Sequence, residues 1–148
     1  MTYDPSIRIP SMAKLHKEFE KAFSNIPSGF GNNSDAHNFL RKYLHIDKRL
    51  VPVWMQDVVI NNFESNPTPL LVVLQVLSEY THDVIYPQGA MIATYCLMHT
   101  NSAVKEAALK CFDVWNEKRY INVLKYHSMP IKRLQDYLDQ IINKLIKI

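Results

Sequence analysis

Cys96 and His99 stand three residues apart in one helical stretch and can share a face, as metal ligands do. A zinc site needs at least three such ligands, and Cys111 is the only further candidate nearby. Both cysteines read better as small buried hydrophobes. His82-Asp83 follows the apolar run that ends near Tyr80, where a histidinium would favour the negative end of the helix dipole. An acid–base pair there would need a nucleophile or a metal that the surrounding sequence does not identify. Asp57 and Glu64 are seven apart, two turns along one helix face, too far to share a proton. The sequence has no Gly-rich phosphate loop, no Gly-x-Ser-x-Gly, no His-Glu-x-x-His and no Cys-x-x-Cys. No catalytic residue, metal or cofactor is assigned, and a non-enzymatic role is expected.

Charge layout says more than total charge. The net +3 is too mild to single out nucleic acid as a partner. Between Arg49 and Lys105 there is no Lys or Arg, yet Asp57, Glu64, Glu79 and Asp83 remain, a net −4 against +7 for the flanks. Burial of the middle helices accounts for part of this, because Lys is rarely buried. Burial should exclude carboxylates as well, so their survival points to an acidic surface. Near the C-terminus, Lys105, Lys110, Lys118, Arg119, Lys125, Lys132 and Arg133 lie among Tyr120, Tyr126 and Tyr137. Phosphate contacts and base stacking could follow from such a set. Glu106, Asp113, Glu117, Asp136 and Asp139 alternate with it, however, which is the mix of a solvated face.

The elements that would position these groups are helices. A chain of 148 residues, 47% apolar and 21% charged, fits one globular domain with an adequate core. Three glycines suit helices on short connections better than a turn-rich β fold. Two cysteines do not make a disulfide framework, residues 1–10 carry no leader-type apolar run, and no segment reaches the length of a membrane span, the apolar run over residues 70–77 reading as core. A cytoplasmic protein with reduced thiols is expected.

Ser11 can cap a helix to about Phe23 with Met12, Leu15, Phe19 and Phe23 on one face. Residues 24–34 form the longest loop and hold Phe30; together with Phe39 it makes a candidate contact pair. Ser34 caps a short helix to near His45, and Pro52 opens one to about Phe63. Thr68-Pro69 starts a helix to about Tyr80 that is apolar nearly all round, with Gln75, Ser78 and Glu79 as its polar stripe. Pro87 opens a helix in which Gly89, Ala90 and Ala93 permit close approach of a neighbour. Residues 102–115, a shorter stretch 117–126, and residues 131–148 complete the set. The last repeats Ile131, Leu134, Leu138, Ile141, Leu145 and Ile148 at alternating spacings of 3 and 4. That seam either closes the end of a stack or serves a homodimer.

Helix starts near Pro52, Pro69, Pro87, Ser102, Asn116 and Pro130 recur roughly every 15 residues, as fixed-period helical pairs do. Within them, residues 87–115 resemble one repeat of the HEAT/armadillo family. Asn101, Val104, Lys105, Ala107, Ala108 and Leu109 occupy the places of that family's Asp/Asn-x-x-Val-Arg/Lys-x-Ala-Ala pattern at the start of the second helix. The hairpin over residues 52–80 has matching lengths without the Val-Arg signature, and the first fifty residues show no repeat signal.

The resemblance implies an all-α fold, a short right-handed stack of antiparallel helical hairpins with six to eight helices. Residues 1–51 would be its less regular N-terminal part, and residues 52–148 its HEAT-like hairpins. Small size, missing catalytic motifs and the cation-free middle point to a protein-binding module. Asp57, Glu64, Gln75, Glu79, His82 and Asp83 would face a basic protein partner. A bacterial immunity protein or antitoxin covering a toxin or nuclease would look like this. A nucleic-acid-binding helical repeat using the basic C-terminal helices is the alternative.

Overall fold

The computed structural model describes residues 12–24, 26 and 34–148; Ser11, Phe30 and most of the loop expected over residues 24–34 lie outside the described residues. Within the described residues the chain is all-helical, with nine α-helices, one 3-10 turn and no strand. They are α1 (Met12–Ser24), α2 (Asp35–Tyr43), α3 (Leu50–Asn62), α4 (Pro67–Leu77), α5 (His82–Ile85), α6 (Gln88–Cys96), α7 (Ser102–Trp115), α8 (Ile121–Lys125) and α9 (Lys132–Ile146). The 3-10 turn, Lys118–Tyr120, leads into α8. Six to eight helices were expected. The extra one is α5, a single turn too short to leave a periodic signal.

Local chemistry sets the helix starts. At α2 the Ser34 Oγ accepts from the His37 backbone N–H while His37 Nδ1 accepts from the Ser34 N–H, both at 3.3 Å. This reciprocal pair is a capping box with histidine in the place usually held by Glu or Gln. At α4 the cap is Asn66, not Thr68: its Oδ1 accepts from the Thr68 N–H at 3.2 Å, which puts Pro67 at the first helical position. Asn101 Oδ1 accepts from the Ala103 and Val104 N–H groups at 2.9 and 3.2 Å and opens α7 as its sequence implied. The same helix ends at Asn116, whose φ of 56° is the left-handed conformation that asparagine tolerates.

Two rows of helices follow from the packing. In one, α2, α4, α7 and α9 lie side by side, and in the other α3 lies against α6. Cross-packing of α1 on α2, α3 on α4, α6 on α7 and α8 on α9 joins them. The largest interface is α4 with α7. Leu70, Val72, Val73, Leu74, Val76 and Leu77 are all buried, as an apolar surface on nearly every side of α4 demands. Side chains of α7 finish the last turn of α4: Cys111 Sγ donates to Leu74 O (3.3 Å) and Trp115 Nε1 to Leu77 O (3.2 Å). One continuous apolar core runs from Leu15 to Leu145.

At the N-terminal end the packing is aromatic. Phe19 meets Phe23, Phe39 and Trp54 at ring separations of 4.7, 5.5 and 5.6 Å. Phe39 is therefore core rather than a surface contact, and Met12 is exposed instead of joining Leu15 and Phe19 inside. At the other end, Leu134, Leu138, Ile141 and Leu145 are buried within the chain itself. α9 packs on α7 and α8, so most of the seam that would close a stack or serve a homodimer is already covered within the chain, with Ile131 and Ile148 of the six exposed. No helix among the described residues is long and apolar enough to cross a membrane.

Candidate functional site

The outer side of the α3/α6 row does not bury its apolar groups. Along α6 and the turn that follows it, Met91, Tyr95 and Met98 follow one another at spacings of 4 and 3, on the side opposite buried Ala93 and Leu97. On α3, Ile60 occupies the same side. Ile60, Met91 and Met98 are 56%, 54% and 58% exposed, and they border a cleft of about 810 Å³. Tyr86, Arg119 and Tyr120 close one end of it, with Arg119 lying over the Tyr86 ring at 5.5 Å. At the α3 end, Phe63 lies tilted against Tyr95, with ring centroids 4.2 Å apart. Contiguous apolar surface of this kind is uncommon on a soluble monomer and marks contact sites. Paired methionines make such a surface adaptable, because their unbranched side chains repack cheaply.

Behind the closed end lies a polar corner. His82, 4% exposed, pairs through Nε2 with the Tyr120 hydroxyl. Its Nδ1 has no hydrogen-bond partner among the described residues and stands 3.8 Å from Asp83 Oδ1 and 3.6 Å from Glu117 Oε1. Glu117 Oε2 is in turn 3.6 Å from Arg119 Nε. These three residues are the one group among the described residues whose donor atoms converge as metal ligands would. A second cleft of about 260 Å³, bordered by Glu79, Thr81 and Val114, opens onto them.

The six residues expected to form one acidic face are divided by the fold. Asp57 and Glu64 are exposed on and just beyond α3, alongside Ile60. Glu79 and Asp83 lie past the far end of α4, about 16 Å from Glu64 along an eleven-residue helix. Asp83 is exposed, but Glu79 is held by a cation that the sequence gap concealed. Arg41, thirty-eight residues away, donates from Nε to Glu79 Oε2 (2.9 Å) and from Nη2 to Oε1 (2.6 Å). Gln75 is half-buried and bonded through Oε1 to His37 Nε2 at 2.6 Å, and His82 is inside the fold. Asp57, Glu64 and Asp83 are thus the exposed carboxylates of the set with no ion pair to Lys or Arg among the described residues.

The cysteine–histidine pair resolves into core packing. Cys96 and Cys111 are free and buried; burial pushes the Cys96 thiol up to about 12 and raises Cys111 as well. His99 Nδ1 accepts from the Asn101 N–H (2.9 Å), so its Nε2–H donates to Phe63 O (2.6 Å), and neither nitrogen is left for a metal. Part of the basic C-terminal surface is compensated internally. Arg133 makes a two-pronged pair with Glu106 at 2.9 and 3.0 Å, which lowers the pKa of that carboxyl, Lys132 pairs with Asp136 at 3.0 Å, and Lys144 pairs with Asp113. Lys105 donates to Leu97 O at 2.8 Å.

Sequence reading missed the cleft and Glu117. The stripe Met91, Tyr95, Met98 was visible, but an apolar helix is read as central by default. Glu117 comes from a turn thirty-four residues beyond Asp83, with no local signal to join them. Comparison with known protein families, with curated proteins and with solved structures gives no match for the chain.

Proposed function

We propose that the chain is a non-catalytic protein-binding module whose α3–α6 cleft takes an apolar segment of a protein partner. The observation that carries this is the exposed apolar lining, Ile60, Met91, Tyr95 and Met98, around a cleft of about 810 Å³. Asp57 and Glu64 flank Ile60 on the exposed side of α3, so a partner with basic residues beside its apolar anchors would be favoured. Charge complementarity of this kind selects partners and speeds encounter. The C-terminal cations offer less to a nucleic acid, because Lys132, Arg133 and Lys144 each meet a carboxylate of this chain.

In its finer form the reading keeps a short, right-handed HEAT-like stack. The helix pairs α3/α4 and α6/α7, packed α3 on α6 and α4 on α7, support it, as does the repeat-like pattern from Asn101 to Leu109. The most specific version is an inhibitor of a basic toxin or nuclease, in the manner of an immunity protein or antitoxin. Asp57, Glu64 and Asp83 would carry its charge, with Glu79 contributing less while Arg41 holds it.

The test is affinity purification of the tagged protein from its own host, beside an Ile60→Glu/Met91→Glu variant and a Lys110→Glu control. A stoichiometric protein companion is expected, bound at least about tenfold more weakly by the cleft variant and retained by the control. A companion that the cleft variant holds equally well, or nucleic acid released by salt in its place, overturns the reading.

A further inference from the structure

We infer that His82, Asp83 and Glu117 form a binding site for one divalent first-row transition cation, with zinc the best fit. The starting point is an electrostatic conflict. His82 is buried and its Nε2 is engaged by Tyr120, so in the tautomer with the proton on Nε2 the Nδ1 lone pair faces outward, towards Asp83 and Glu117. What it meets there is two carboxylate oxygens and no donor. A lone pair set against two anions is unfavourable unless a donor or a cation stands between them: a proton on Nδ1, a water molecule or a metal ion.

Distance favours the cation. A water bridging Nδ1 and a carboxylate through two hydrogen bonds of about 2.8 Å would hold them about 4.5 Å apart. A proton on Nδ1 would draw a carboxylate oxygen to about 2.7–2.9 Å, the length of a charge-assisted hydrogen bond. The separations are instead 3.8 Å to Asp83 and 3.6 Å to Glu117, with all three ligand atoms within 4.8 Å of one another. Ligands held at 2.0–2.1 Å around a tetrahedral zinc stand about 3.3–3.4 Å apart. The His82–Asp83 and His82–Glu117 edges are wider by a few tenths of an ångström; a small rotation of the exposed Asp83 side chain closes the first, and a small shift of the Glu117 carboxylate closes the second.

Charge and ligand type agree with the distances. Two carboxylates neutralise one divalent cation, and an imidazole nitrogen selects zinc and its neighbours over magnesium or calcium, which prefer all-oxygen shells. Both ends of the site are already oriented from behind: Tyr120 fixes the imidazole, and Arg119 stands at the second oxygen of Glu117. The fourth position faces the cleft bordered by Glu79, Thr81 and Val114, where water or a partner's side chain can enter. An occupied site would pin the turn carrying Glu117 to α5 and so fix the closed end of the apolar cleft.

The experiment is a zinc titration of chelator-treated full-length protein at pH 7, read by competition with a chromogenic zinc dye and by the thermal midpoint. His82 is buried, so the variants are Glu117→Gln and Asp83→Asn, and His16→Ala controls for the exposed His16–Glu20 pair. The expected result is one zinc per chain, a midpoint raised by zinc and not by magnesium, and binding at least about tenfold weaker in each carboxamide variant. His16→Ala should bind as the parent does. Absence of binding at about 100 μM zinc, or equal affinity in both carboxamide variants and the parent, overturns the proposal. Because the readout is metal binding by the isolated chain, it stands or falls independently of the partner reading.

Discussion

The two sides of the α6/α7 pair treat their outer residues differently. On the α7 side, α9 covers the apolar stripe with Leu134, Leu138, Ile141 and Leu145, and the charges around the seam meet opposite charges: Arg133 with Glu106, Lys144 with Asp113. On the α6 side, Ile60, Met91 and Met98 remain exposed, and Arg119 and the His82 corner stand at the end of the cleft. The first side is a finished surface, stabilised by its own chain. The second has the composition of an interface with one half missing. A fold can afford such exposure only where something is gained by it, since burying each large apolar side chain is worth about 1.5–3 kcal/mol.

That contrast can be broken most sharply by equivalent truncations on each side. Leu138→Ala should cost about 2–5 kcal/mol in urea unfolding, because it empties a site closed on all sides. Met98→Ala on the exposed side should stay within about 0.5 kcal/mol of the parent. Similar losses for the two would mean that the cleft is as much core as the α9 seam. Next in size is Gly89→Ala. A Cβ there would lie 2.5 Å from Ile85 Cδ1 and 2.8 Å from Ile85 Cβ, so α5 or α6 must shift. The expected loss is about 1–3 kcal/mol, against a smaller gain in helix propensity. An unchanged unfolding midpoint would show that α5 is not held against α6 as described.

A smaller effect should appear with pH. His37 has its pKa lowered chiefly by burial, against an opposing hydrogen bond from Gln75; His127 is lowered by burial and by Lys105. The folded chain therefore resists protonation at both. As pH falls below the ordinary histidine value of about 6.5, the unfolded chain takes up protons first, and stability present above that value is lost as pH falls through the lowered folded values. Urea midpoints should decline from pH 7 to pH 5, and less steeply for a His37→Gln/His127→Asn variant. Smallest of all should be Arg133→Glu, an exposed pair whose loss shrinks further in salt. A large loss there would mean that the finished side depends on its charges rather than on its buried seam.

How far these features could be read in advance depends on the range of the contact involved. The Asn101 cap, the Val104–Ala108 pattern after it and the periodicity of the α9 seam are each written within one helix, and they were legible. Arg41–Glu79, His37–Gln75 and His82–Tyr120 each join residues thirty-eight apart. No periodicity announces such pairs. The gap without Lys or Arg from Arg49 to Lys105 suggested a continuous acidic face, but Arg41 reaches across from α2 and α4 separates Glu64 from Asp83. Met91, Tyr95 and Met98 were visible as a stripe. What could not be seen was that α6 has α3 and α7 packed against it and still keeps one side open to solvent.

The central claim is that a protein partner occupies the α3–α6 cleft, and methionine footprinting of the complex tests it most directly. In the free protein, peroxide should oxidise Met91 and Met98 quickly and buried Met55 slowly. With the co-purified partner bound, Met91 and Met98 should become as slow as Met55. If both are oxidised as fast in the complex as in the free chain, the partner binds elsewhere and the cleft is not the interface.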